Sequence, residues 1–282
     1  MLERLLVQHS HFNPNRRNRN IGTSKAGHGQ NNRLVIPSAW ADSRMFYEKL
    51  VNPVEVSVIV HSLELAILVE PTLPGYIHSC TVDDIVRMIG MIPTVHFENI
   101  KLVVLRQPRR KENILSSCWG RLVYWSEIGR HSGPTIFLEA QNLGRPLRRA
   151  ASLQPDEALE LERLRDDGHR IVFDKRRHQI MSSPDSVRNT QLYRTFPHEV
   201  GHYVDYLESV EIPARDCDER EKLSDRYWTK TSHDKEAFAH RYADEFRSSK
   251  RAEGLIPFDR IIDEENMKRQ GLDPTWFTVA EA

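Results

Sequence analysis

Residues 196–208 read FPHEVGHYVDYLE, and no other stretch of the chain restricts its fold so tightly. His198 and His202 are four residues apart, with Glu199 beside the first. On a helix, side chains i and i+4 share one face, so both imidazoles can reach one metal ion. Val200, Tyr203, Val204 and Leu207 recur at helical spacing and give such a helix a buried stripe. Gly201 lets a second element approach the metal-facing side closely. Pro197 conflicts with this picture. Inside a helix it donates no hydrogen bond, its ring clashes with the carbonyl four residues back at Tyr193, and it biases Phe196 away from the α region. Two resolutions are open: Thr195 caps a helix that starts here, or a helix over 186–195 kinks into the metal helix. A break or kink near 195–197 is expected.

The chemistry follows from the spacing. Glu199, adjacent to the first imidazole, can approach a metal-bound water as general base and pass the proton to a leaving amine. A catalytic metal needs a third protein ligand and one open position. Glu208 is one candidate, but on a continuing helix it points away from the metal. Cys118 in SSCWG is a second. Glu236 is the third, near the start of KEAFAHRYADEFR (235–247). There Phe238, Tyr242 and Phe246 form an apolar stripe, and Ala239 and Ala243 permit close packing against the metal helix. A carboxylate also offsets the charge of the metal.

These residues carry a resemblance. His198-Glu199-x-Gly201-His202-x-x-Asp205 followed by Glu236-x-Phe238-Ala239 resembles gluzincin metallopeptidases, in particular the catalytic domain of anthrax lethal factor and its relatives. The likeness covers about residues 195–248. It implies a zinc ion held by His198, His202 and Glu236, with Glu199 as the base. It also implies an oxyanion-stabilising tyrosine slightly upstream of the ligand glutamate, for which Tyr227 is the best candidate and His233 the alternative. Asp205 is expected to orient a ligand imidazole or tether a neighbouring helix. His240 stands where relatives often carry an acidic residue, and is expected either to hydrogen-bond Glu236 or to be exposed. Zincins bind substrate along an exposed sheet edge, for which residues 134–139 and 170–174 are the candidates.

The rest of the chain reads as α+β, a zincin-like domain with a small mixed sheet followed by the HExxH helix and the glutamate-bearing helix. Residues 9–33 hold almost no apolar side chains, so 1–33 is expected to be a flexible polar, basic tail. Helices are expected over 38–51, from Thr81 to before Pro93 with Thr81 and Asp84 as a capping box, and over 155–167 closed by Gly168. Strands are expected over 54–60, 100–106, 120–126, 134–139 and 169–174. An N-terminal α/β subdomain is expected over 34–95, with the zincin-like catalytic domain over 96–282.

Lysine plus arginine and aspartate plus glutamate each total 40 of 282 residues, so no global field favours a nucleic acid. Three scattered cysteines make no disulfide framework, and no apolar run is long enough to span a membrane or to serve as a signal peptide. A cytoplasmic protein, or an effector exported without a leader, is expected. The expected partner is a peptide or protein substrate. Two other readings stand beside it. One is a nucleic-acid-associated protein using the basic clusters, and the other is a zincin-fold binding module without hydrolysis.

Overall fold

Alternating β-branched residues make Val54–Val60 the first strand, β1, of the computed structural model, which describes residues 44–109 and 118–279. β2 (Leu63–Val69) returns at once, pairing from Val60↔Leu63 to Val54↔Val69. The two-residue turn places His61 (φ 48°) and Ser62 (φ 66°) in the left-handed region, as a type I′ hairpin requires. The chain continues through β3 (Tyr76–Ile77), α1 (Val82–Ile89), α2 (Thr94–Phe97) and β4 (Leu102–Arg106). Next come β5 (Gly120–Ile128), β6 (His131–Glu139), β7 (Gln141–Asn142), β8 (Leu147–Ala150), α3 (Pro155–Asp166), β9 (Arg170–Phe173) and β10 (Arg177–Met181). The remainder is helical: α4 (Pro184–Thr190), α5 (Phe196–Tyr206), α6 (Cys217–Trp228), α7 (Ser232–Ala252) and α8 (Glu264–Arg269).

The main sheet has the order β1-β2-β4-β6-β5, with β2/β4 and β4/β6 parallel and both outer pairs antiparallel. The fold is therefore α+β with a small mixed sheet. β4 is buried along its whole length, as a central parallel strand covered on both faces must be. Val103 and Leu105 join one core with Ile85, Met88, Phe97, Phe196, Val200 and Val204. Leu102 and Val104 join a second with Leu68 and Phe137. The capping box of α1 forms as expected: Thr81 Oγ1 accepts from the Asp84 N–H at 3.0 Å, and Asp84 accepts from the Thr81 N–H at 3.1 Å. A smaller sheet, β8-β10-β9, packs Ile180 against Leu161 and Leu164 of α3.

One expectation about local structure needs correction, the helix over 38–51. The described residues from 46 onward cluster as one compact unit, and β2 pairs with β4 in register from Ala66↔Leu102 to Val69↔Leu105. The boundary expected at 95/96 thus falls between two strands that pair in one sheet. The tail expected over 1–33 lies outside the described residues, as does the helix expected over 38–51 up to residue 43. The described part of that helix is only a short 3₁₀ turn, Phe46–Glu48. Beyond it the chain is already turning into β1, with Asn52 left-handed (φ 47°) before Pro53. No helix among the described residues is long and apolar enough to cross a membrane.

Candidate metal centre

The conflict at Pro197 is resolved by a widened turn. α4 runs without a break into a π-helical segment, Gln191–Thr195, and from there into α5. The Phe196 N–H bonds to the Gln191 carbonyl, five residues back. A π turn redistributes backbone bonds where one donor is missing, and here it ends two residues before Pro197, which has no N–H. Thr195 is helical and makes no side-chain cap, and Phe196 stays in the α region (φ −58°, ψ −50°) despite the following proline. The widened turn is clamped from both sides. Gln191 Nε2 donates to the carbonyls of Trp119 (2.8 Å) and Glu139 (2.7 Å), while Arg194 bonds Asp167 (2.7 Å) and Glu160 (2.8 Å). These bonds fix where α5 begins, and so where its histidines point.

α7 crosses α5 at Gly201. A Cβ added there would lie 3.0 Å from Ala239 Cα and 3.1 Å from the Ala239 carbonyl oxygen. The missing side chain thus allows the close approach that brings Glu236 over the histidines. The Nε2 atoms of His198 and His202 lie 3.2 and 3.5 Å from the two Glu236 carboxylate oxygens. All three donors fall within 4.8 Å of one another. Two ligands bound at about 2.1 Å with tetrahedral angles stand about 3.4 Å apart, so the observed separations fit a single ion. The donor set, two imidazoles and a carboxylate, suits a divalent transition metal. Among the described residues this is the one such group of histidine, cysteine and acidic side chains.

Glu199 adjoins the triad in a buried position, 8% exposed. Its Oε2 accepts a 2.6 Å hydrogen bond from the Leu122 N–H of β5. Burial pushes its pKa up, against the lowering influence of His198, His202 and the Leu122 bond. The Glu236 carboxyl is held well below the usual range by its bonds to His198 and His202. Burial of His202 lowers its pKa, but Glu236 and Glu199 outweigh this and the net shift is upward. His198 Nδ1 is buried without a hydrogen-bond partner. Its ring is held instead by packing on His240, with centroids 4.5 Å apart.

The other sequence-expected residues are distributed as follows. Asp205 is buried and receives the Lys230 ammonium at 2.8 Å. It therefore tethers the segment after α6 and is not bonded to a ligand imidazole. His240 neither bonds Glu236 nor is exposed: its Nε2 faces Arg163 Nη1 at 3.2 Å. Burial, His198 and Arg163 bring its pKa down to about 4, so it is neutral. Tyr227 does not reach the open side of the site. It is 1% exposed, its hydroxyl lies 2.8 Å from that of Tyr124, and burial raises its pKa. His233 and Glu208 are exposed and outside the triad. Cys118 is also outside it: its Sγ accepts from Arg121 at 2.8 Å, and burial raises the thiol pKa to about 11.

The triad and Glu199 open onto a cavity of about 340 Å³ lined by Gly120, Arg121, Leu122 and Tyr124 of β5 and by Trp228, Ser232 and Lys235. Neither strand expected to form a substrate edge lines this cavity. Residues 134–139 belong to β6, which is interior, and 170–174 overlap β9 in the smaller sheet. The edge strand at the cavity is β5, which pairs only with β6 among the described residues. Tyr124, Trp228 and Lys235 carried no motif by which sequence reasoning could find them. Tyr124 on β5, Trp228 at the end of α6 and Lys235 on α7 meet at the site only through tertiary packing. No family model matches the chain, and no curated protein or solved structure matches it.

Proposed function

We propose that the chain is a zinc-dependent endopeptidase with a zincin-like catalytic domain. One observation carries the reading: His198, His202 and Glu236 converge within 4.8 Å on the wall of an open cavity, with the Glu199 carboxylate beside them. Zinc held by these three side chains would supply a Lewis acid that polarises a peptide carbonyl and acidifies a water at neutral pH.

The remaining work belongs to the protein. Glu199 takes a proton from the attacking water and delivers it to the leaving amine. Burial favours its protonated form, so the carboxylate is a stronger base than an exposed glutamate. The Leu122 N–H holds it in one orientation. β5 offers an edge along which an extended peptide can add as a strand, placing its backbone across the cavity. Tyr124 and Trp228 supply apolar surface around it.

Metal removal tests this reading. Dialysis against a chelator is expected to abolish cleavage of a mixed peptide library, and stoichiometric zinc to restore it. Cleavage that persists unchanged in the metal-free protein would sink the proposal.

A further inference from the structure

We propose that the Lys235 ammonium docks a carboxylate of the substrate, so that the peptides this site takes are acidic near the scissile bond or end close to it. The inference rests on the peptidase reading and adds the substrate class. Lys235 directly precedes Glu236 and lines the same cavity. Its Nζ lies 4.8 Å from the ring centre of Tyr227 and 4.7 Å from that of Trp228. Two aromatic faces thus hold the head in place, where an ordinary surface lysine would sweep freely.

The charges around it are otherwise committed. Glu236 faces both imidazoles, Glu199 accepts from Leu122, and Arg121 lies 3.4 Å from Glu139. Lys230 also stacks on Tyr227, at 4.8 Å, but it is paired with Asp205 at 2.8 Å. Among the described residues no carboxylate pairs with Lys235. It is a positioned cation facing the cavity without a counter-charge, and partial desolvation against the rings strengthens its attraction for an incoming anion. A side-chain carboxylate and a free C-terminus present the same chemistry.

Direct binding separates these cases. The Glu199→Gln protein is titrated with fluorescent peptides carrying Glu or its isostere Gln, each with a free or an amidated C-terminus. A carboxylate-bearing peptide is expected to bind about tenfold more tightly than its neutral counterpart, the scale of one charge-assisted hydrogen bond. Lys235→Met, which keeps the aliphatic stem, should remove that preference, and Lys235→Arg should retain it. In the wild type the same preference should appear in KM more than in kcat. Whether the Glu/Gln pair or the acid/amide pair shows the difference identifies which carboxylate is docked. Equal affinity for charged and neutral peptides, or a preference that survives Lys235→Met, overturns the proposal. Failure of the peptidase reading is separately visible, as a wild-type protein that holds no zinc and cuts no peptide.

Discussion

A Glu199→Gln protein is expected to retain its metal and lose about a thousandfold in kcat, within the range that a positioned general base contributes. The substitution conserves shape, and its amide oxygen can still accept the Leu122 N–H bond now made at 2.6 Å. It also replaces a buried ionisable group by a neutral one at a site where burial already raises the carboxyl pKa. The fold should not suffer, and thermal stability should be unchanged or slightly higher. Loss of activity with full metal content and an intact melting transition would assign proton transfer to Glu199. Cleavage within a factor of about ten of wild type would show that another group is the base.

The second large effect is on stability. Asp84 is fully buried and its carboxylate serves four N–H groups from three parts of the chain. It accepts from Thr81 N at 3.1 Å, from Arg188 Nε and Nη2 at 3.0 and 2.9 Å, and from Ile261 N at 3.2 Å. Asp84→Ala would leave the Arg188 guanidinium, itself 5% exposed, without its counter-charge. Breaking one partner of a buried pair costs about 3–5 kcal/mol, and denaturant unfolding should show a loss of that size. The double variant Asp84→Leu with Arg188→Met should cost less than Asp84→Ala alone, because no buried charge is stranded. A loss under about 1 kcal/mol for Asp84→Ala would mean that water or another acid replaces the carboxylate.

Local signals in the sequence carried over well. The capping box at Thr81 and Asp84 formed, and so did the α3 helix from Pro155 to Asp166, whose cap Asp167 is followed by Gly168 at φ 96°. The hairpin between β1 and β2 did not announce itself. Its turn uses His61 and Ser62 where Asn-Gly would be the usual signal, so residues 54–70 look like one interrupted apolar run. The π turn was equally hidden. A proline before the first histidine marks a disturbance, but whether the backbone stops, kinks or widens depends on the tertiary bonds of Gln191 and Arg194.

The candidate site divides along the same line. His198, Glu199 and His202 are fixed to one another by helix geometry, so their spacing alone places them. Glu236 is 34 residues beyond His202, and its proximity depends on α7 packing at Gly201. Small residues on both helices hinted at that packing. Tyr227 shows the limit of position in the chain as a guide: it lies near the site, but its hydroxyl is paired with that of Tyr124 and it does not line the cavity. Which strand edges the cavity followed from the sheet order, which no single strand encodes. β6 is no more apolar in sequence than β5, yet it is the more buried of the two and lies between β4 and β5, leaving β5 at the edge.

Metal analysis of purified protein tests the central claim most directly. Wild type is expected to carry one zinc per chain. His202→Ala, which removes one of three donors, is expected to carry less than about a tenth of that after dialysis. If wild type and variant hold equally little zinc, or hold it equally well, the triad of His198, His202 and Glu236 is not a zinc site.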